Sequence, residues 1–122
     1  MADTIVYKVM DAEAWARFQA EGVFLGAPVD LADGFIHFSA AHQVQGTLDK
    51  HFGGAPDLML VAIEADRLGP ALKWEVSRGG DLFPHLYATL SLSSVIATAP
   101  LALDAEGRHV ASDAIVACAG GA

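Results

Sequence analysis

The stretch KWEVSRGGDLFPHLY, residues 73–87, holds the densest mix of ionisable, aromatic and turn-forming residues in an otherwise apolar chain. Its first residues alternate apolar and polar side chains, which is the period of a half-buried strand. We expect Trp74 to pack into a core and Glu75 to face the other way. A glycine pair then predicts a turn, and Pro84 fixes the backbone beside His85. The stretch therefore predicts a carboxylate on a strand, a turn, and an imidazole on a rigid segment.

The composition describes a globular, acidic chain. It has 122 residues, of which 53% are hydrophobic and 18% charged, and its formal net charge is −8. This size predicts a single domain over residues 1–122, with a core at about 4–110 and a loosely docked tail at 111–122. The negative charge argues against nucleic acid and anionic membranes as partners, because phosphate contacts need clustered Lys and Arg.

The same totals bear on location and on metals. No apolar run approaches the roughly 18 residues that cross a bilayer, so we expect no membrane association. The single cysteine, Cys118, forms no internal disulfide, and the first residues do not resemble a signal peptide. Both points predict a cytoplasmic protein. The histidines lack a metal-ligand spacing, and we expect no metal.

Periodicity and turn residues predict five strands, at about residues 4–10, 34–39, 58–64, 71–77 and 94–99. Helices are expected after the first two strands, the first beginning at Asp11 and ending at Gly22, the second capped by Ser39. Because the connection between the third and fourth strands is too short for a parallel crossover, we expect that pair to be antiparallel. The predicted class is α+β.

Two further segments bear on a binding site. Residues 21–33 are irregular but apolar, so we expect them to lie over the core and to form a site wall. His37 ends a predicted strand directly before a helix N-terminus, where free N–H groups favour an anion. If Lys8, Lys73 and Arg78 converge, their field suits a small anionic ligand. The alternative for His37 is a histidine whose hydrogen bonds are made with the backbone, and the alternative for the three basic residues is ordinary solvated surface charge.

A longer set of residues resembles one family over about residues 4–110. In chain order the set is Tyr7, Trp15, Gly34-Phe35-Ile36-His37-Phe38-Ser39, Gln43, Phe52-Gly53-Gly54, Asp57-Leu58, Lys73-Trp74-Glu75 and Phe83-Pro84-His85-Leu86-Tyr87. In these residues the chain resembles the uncharacterised bacterial family DUF952. The resemblance implies the fold of ADP-ribosyltransferases, a split, mostly antiparallel β structure with two main helices. It also implies the activities of that fold, which include NAD-dependent transferases and RNA 2′-phosphotransferases.

The resemblance also implies roles for particular residues. Lys8, His37 and Glu75 match the three strand positions at which transferases of this fold carry site residues. The family usually has Tyr-His-Ile where this chain has Tyr7-Lys8-Val9. A histidine there would grip the ribose of NAD, whereas a lysine would reach a phosphate as a point charge.

The chemistry of the residues gives each candidate a role and an alternative. Glu75 is the candidate carboxylate for stabilising an oxocarbenium-like state, and its alternative is a cross-strand ion pair. His37 and His85 compete to orient or protonate a leaving group near neutral pH. The alternative for His85 is a hydrogen bond that locks the turn at Phe83-Pro84.

The main hypothesis is one pocket for a nucleotide or other small anionic ligand, with transferase activity and NAD as the candidate nucleotide. Its predicted catalytic residues are Glu75, His37 and His85. Its predicted ligand-binding residues are Tyr7, Lys8, Ser39, Lys73, Arg78, Phe83 and Tyr87. A second hypothesis is a non-catalytic binding module on the same fold, which Lys8 favours. A third is an RNA 2′-phosphotransferase-like enzyme, against which the net charge of −8 counts.

Overall fold

The structure is a computed structural model that describes residues 5–120, apart from the side chains of Arg78 and Ala119. Its elements are, in chain order, β1 (Ile5–Asp11), α1 (Ala12–Glu21), β2 (Val23–Phe24), α2 (Pro28–Asp33), β3 (Ile36–His37), β4 (Ser39–Ala40), α3 (Val44–His51), β5 (Leu58–Glu64), β6 (Leu72–Val76), β7 (Leu82–Leu86), β8 (Leu90–Ser91), β9 (Val95–Leu101) and α4 (Ala111–Gly120). The pairs of these strands are antiparallel, and the α+β class is confirmed.

The strands form two main sheets and a short ribbon. The four-stranded sheet has the order β4-β1-β5-β9, the three-stranded sheet has the order β3-β7-β6, and β2 pairs with β8. Only Phe38 separates β3 from β4, and its N–H donates to the carbonyl of Pro84 at 3.0 Å. One extended segment therefore leaves the three-stranded sheet and enters the four-stranded one, which brings the two sheets together beside His37.

Both faces of the four-stranded sheet are buried. On β5, Leu60 packs into the core cluster that includes α3 and α4, whereas Val61 packs into the cluster that includes α1. Alternate residues of a strand point to opposite faces, so the continuous apolar run of β5 fits a strand covered on both sides. The strand predicted at residues 58–64 is confirmed.

The end of the chain departs from its prediction. Residues 111–120 form α4, whose Ala111, Ala114 and Cys118 are buried in the core. Their spacing of three and four residues places them on one face of a helix. The loosely docked tail expected from residue 111 is therefore wrong for these residues, because small side chains let this helix pack closely on the sheet. Residues 121–122 and Thr4 lie outside the described part.

The first helix was predicted correctly, whereas the start of the second was not. The Asp11 carboxylate accepts from the N–H of Ala14 at 2.7 Å, and the helix ends at Gly22 with φ of 77°. Ser39 instead pairs with Tyr7 in the sheet, and its hydroxyl lies 2.8 Å from that of Thr47. The pairing with β1 keeps the chain extended beyond Ser39, so the α-helix begins only at residue 44, after a turn of 3₁₀ helix.

The stretch of residues 73–87 forms a hairpin of β6 and β7 whose burial differs from the prediction. Trp74 is 40% exposed and Val76 is 69% exposed, so the expectation of a buried Trp74 is wrong. The expected antiparallel pairing of the third and fourth predicted strands is also wrong, because β5 and β6 belong to different sheets. Both predictions fail for the same reason, because β6 is an edge strand whose partner is β7. None of the helices within residues 5–120 is long and apolar enough to cross a membrane.

Candidate functional site

A cavity of about 650 Å³ lies where the two sheets meet, between β1, α2, α3 and β7. The predicted site residues in its wall are Tyr7, Lys8, His37, Ser39, Phe83 and His85. Wall residues that the sequence analysis did not assign to a site include Asp11, Asp33, Thr47, Lys50, His51 and Phe52. The cavity therefore brings together residues from four separate segments of the chain.

Three predicted site residues lie elsewhere. Lys73, Glu75 and Tyr87 are not part of the cavity wall, and Lys73 is exposed on the edge strand β6. The side chain of Arg78 lies outside the described part of the structure. The predicted convergence of Lys8 with Lys73 is not observed, because Lys8 is buried on β1 whereas Lys73 is exposed on the other sheet.

The most buried charge in the site is Asp30, which is 1% exposed. Its carboxylate accepts from the Lys8 ammonium at 3.2 and 3.0 Å and from the N–H of Ala27 at 2.7 Å. It also accepts from the N–H of His37 at 3.0 Å and lies 2.6 Å from Nδ1 of that ring. We call Lys8, Asp30, Asp33 and His37 the Asp30 cluster. The helix α2 thus directs an acid inward while Val29 and Leu31 are exposed, so this helix does not form the apolar cover expected for residues 21–33.

Burial and pairing act in opposite directions on the two buried charges. Burial raises the pKa of Asp30, but the Lys8 ammonium and the hydrogen bonds from His37 and Ala27 outweigh it and bring that pKa below its ordinary value. Burial lowers the pKa of Lys8, and Asp30 offsets only part of that effect. The Lys8 ammonium also donates to the His37 carbonyl at 2.9 Å, so its hydrogen bonds are made within the protein.

The ring of His37 lies between two carboxylates. Its Nδ1 faces Asp30, and its Nε2 lies 2.9 Å from a carboxylate oxygen of Asp33. Because a carboxylate only accepts, both contacts are hydrogen bonds when both ring nitrogens carry protons. The expected anion site at His37 is therefore wrong, since α2 places two negative groups against this ring.

His85 is held by a second group of residues. Its Nδ1 lies 2.8 Å from an oxygen of Glu75, and the hydroxyl of Tyr87 donates to the same oxygen at 2.6 Å. Phe35 stacks on the imidazole, with ring centroids 4.1 Å apart, and the ring of His37 lies 5.5 Å away. We call Phe35, Glu75, His85 and Tyr87 the His85 cluster. In this cluster, Glu75 comes from the first part of the hairpin formed by residues 73–87, and His85 and Tyr87 come from its last part.

The contacts of Glu75 define which ring nitrogen of His85 donates to it. The hydrogen bond from Tyr87, followed by that from His85, lowers the pKa of Glu75, so this carboxyl is ionised near neutral pH. An ionised carboxylate only accepts, so Nδ1 donates to it, and in the neutral form of the ring Nε2 is then an acceptor. That Nε2 is the one buried side-chain polar atom of the described residues without a hydrogen-bond partner.

The sequence analysis assigned no site role to Asp30, Asp33 and Phe35, which belong to the two clusters. Pro28 followed by an acid two residues later is a typical helix start, and this signal predicts α2. Nothing in that signal predicts that Asp30 is buried against Lys8, which lies 22 residues away. Within residues 5–120, no group of three or more His, Cys, Asp or Glu side chains is arranged to hold a metal ion.

The fold and the site together define an α+β protein with a cavity between two antiparallel sheets and a carboxylate-held histidine in its wall. Family comparison places the chain more closely: it belongs to DUF952, described as a protein of unknown function, whose model matches residues 9–98. The family named from the sequence is thereby confirmed.

Solved structures of a similar protein share the fold. The crystal structure of protein CC0527 from Caulobacter crescentus is 50% identical, with a TM-score of 0.87, over 90% of this chain and 96% of that one. The solution NMR structure of CC0527 is also 50% identical, with a TM-score of 0.81, over 89% of this chain and 94% of the other. A search of curated proteins gave no match.

Proposed function

We propose that the protein binds a nucleotide or a related small anionic molecule in the cavity and transfers a group from it, with His85 as the acid–base. The ADP-ribosyltransferase fold that the family resemblance implies suggests the nucleotide, with NAD as the candidate substrate. A volume of about 650 Å³ is within the range of small-molecule sites. Tyr7, Phe52 and Phe83 supply aromatic wall surface of the kind on which a nucleotide base packs.

The observation that carries the proposal is the unpartnered Nε2 of His85. A buried polar atom without a partner costs free energy, and such atoms are rare in folded proteins. Glu75 fixes the tautomer from the other side of the ring, as an orienting carboxylate does in a catalytic dyad. Because Nε2 is itself buried, a ligand atom reaches it once the side chains around it shift.

The anionic part of the ligand is expected at the α3 side of the cavity. The charge of Lys8 is matched by Asp30, so it adds little net field. Lys50 lies in the α3 part of the wall, whereas Asp11 and Asp33 lie elsewhere in it and repel anions. A phosphate is therefore expected near Lys50, with the scissile bond toward His85.

The chemical step follows from these positions. In transfer from an N-glycoside such as NAD, the C–N bond breaks and the base departs with the electron pair. An acceptor hydroxyl forms the new bond to the anomeric carbon, and its proton passes to Nε2 of His85. Ionised Glu75 stabilises the resulting imidazolium through Nδ1. Glu75 is thus a positioning residue here, instead of the direct oxocarbenium stabiliser expected from the sequence.

The test combines ligand binding and turnover. NAD, ADP-ribose and other nucleotides are screened by melting temperature, and nicotinamide release is followed for NAD. His85→Asn retains a donor toward Glu75 and should still bind, but release should fall by about 10²–10⁴-fold. Glu75→Gln should lower release less, and His42→Ala, an exposed histidine outside the cavity wall, should behave as wild type. His37→Ala removes the other imidazole of the cavity wall and tests whether it takes part in nicotinamide release.

A non-catalytic binding module is the second candidate. The observation that favours it is the pairing of Lys8 with Asp30, because the residue that stands in place of the family's histidine is used to hold α2. This candidate predicts a rise in melting temperature with a nucleotide but no nicotinamide release by wild type. If no nucleotide at millimolar concentration changes the melting temperature, both the transferase and the nucleotide-binding module are excluded.

A further inference from the structure

The edge strand β6 has hydrogen-bonding groups that no neighbouring strand uses. In the three-stranded sheet β6 lies at one end and pairs, within the described residues, with β7 only. The Ala71 carbonyl accepts from Tyr87, and the N–H of Ser77 donates to Asp81. Because main-chain groups alternate along a strand, residues 73 and 75 also face β7, and the main-chain groups of Trp74 and Val76 face the open edge.

The side chains at this edge are unusually apolar for an exposed strand. Trp74 is 40% exposed, Val76 is 69% exposed and Leu82, which is paired with Val76, is 51% exposed. Natural edge strands are commonly protected by charge, proline or a covering element, because an open edge is a template for pairing. The charged residues of β6 are Lys73 and Glu75, which have opposite signs and flank Trp74 symmetrically.

We propose that β6 pairs with β6 of a second copy of this chain, antiparallel and centred on Trp74. In this register Trp74 meets Trp74 of the other copy and exchanges main-chain hydrogen bonds with it. Lys73 of each copy lies opposite Glu75 of the other, so the two charges that flank the centre form two attractive cross-strand pairs. The N–H of Val76 donates to the Leu72 carbonyl of the other copy. The N–H of Leu72 continues to donate to the Gly69 carbonyl of its own chain.

The second copy is the occupant that the charges favour. A lysine alone on an edge strand discourages pairing, but here the two-fold register matches it with an acid. An unrelated extended peptide has no reason to carry the complementary pair at the same spacing. The three strands of each sheet then join into one larger sheet, with the His85 faces of both copies on the same side. Lys73 of one copy lies beside Glu75 of the other, which is the carboxylate that holds His85.

The experiment is sedimentation velocity over a concentration series from the low micromolar to the millimolar range. Wild type should pass from monomer to dimer. Lys73→Glu places like charges opposite each other twice, and the dissociation constant should rise by at least about tenfold. Arg17→Glu makes the same charge change on exposed α1 and should leave dimerisation unchanged.

The decisive arm mixes two variants. Lys73→Glu and Glu75→Lys should each be defective alone, whereas an equimolar mixture should form heterodimers, because every opposed pair is again of opposite sign. Circular dichroism of each variant checks that it is folded. Wild type that stays monomeric at the highest concentration overturns the proposal. So does a Lys73→Glu protein that dimerises as well as wild type, or a mixture that shows no recovery.

Discussion

The Asp30 cluster and the His85 cluster are adjacent and are built from the same kinds of residue, yet they are satisfied to different degrees. His37 pairs in register with His85 across β3 and β7. Both nitrogens of His37 face carboxylates, whereas His85 has a carboxylate at Nδ1 and no partner at Nε2. A fully paired buried network fixes structure, and an unfinished one is a place for a ligand. The difference separates a residue that holds the wall from one that can act on a substrate.

The largest expected change in stability comes from disrupting the Asp30 cluster. Asp30→Asn leaves the Lys8 ammonium buried without a counter-charge, and the free energy of unfolding should fall by about 3–5 kcal/mol. Neutralising the lysine at pH 7 instead costs about 4.6 kcal/mol, because one pKa unit is worth 1.36 kcal/mol and a free lysine titrates near ~10.4. Urea denaturation measures the change.

Two controls make this prediction specific. Asp33→Asn removes the half-exposed partner of His37 and should cost at most about 1 kcal/mol. Adding Lys8→Met to Asp30→Asn removes the unpaired charge, so the double variant should be more stable than Asp30→Asn alone. Equal losses for Asp30→Asn and Asp33→Asn would contradict the structural role of the Asp30 cluster.

A smaller effect is expected from acid. The pKa of Asp30 is lower in the folded protein than in the unfolded chain, so this carboxyl contributes stability above its unfolded pKa. That contribution is lost as the pH falls from about 4 through the folded pKa. Urea denaturation between pH 7 and pH 2.5 should therefore show a shallower acid loss for Asp30→Asn than for wild type.

The matched comparison for the acid experiment is Asp49→Asn. The pKa of Asp49 is lowered by hydrogen bonds from Arg108 and Gln45, but this pair is exposed. Its removal should change the acid dependence less than Asp30→Asn does. A steeper acid loss in Asp30→Asn than in wild type would show that the sign derived for Asp30 is incorrect.

The smallest expected effect is in the His85 cluster. Tyr87→Phe removes the hydrogen bond that contributes most to the low pKa of Glu75, so that pKa should rise toward its ordinary value. A carboxyl ¹³C NMR titration of Glu75 measures the shift, with Asp49 as the unchanged reference. Stability should alter little, since Tyr87 is exposed. No movement of the Glu75 titration would mean that Tyr87 does not hold this carboxylate in solution.

The sequence was informative wherever one local pattern was enough. The strands β1 and β5, the Asp11 cap and the Gly22 end of α1 rest on nearest neighbours, and each was predicted correctly. The burial of Trp74 was not, because period-2 alternation indicates two faces of a strand without showing whether either face is covered. β6 alternates as a half-buried strand does, yet its position at the edge leaves Trp74 exposed.

For the site, the sequence by itself determined several of the candidate residues and the family. His37, Glu75 and His85, the turn between the last two, and membership of DUF952 could all be found from residue types in order. Only the tertiary structure decided which histidine has a hydrogen-bond partner at both ring nitrogens. That depends on Asp30, which approaches Lys8 and His37 because α2 folds over the strand that joins the two sheets. A charge is compensated by whatever lies within about 4 Å of it, and such proximity across 22 residues of chain is a property of packing, not of local sequence.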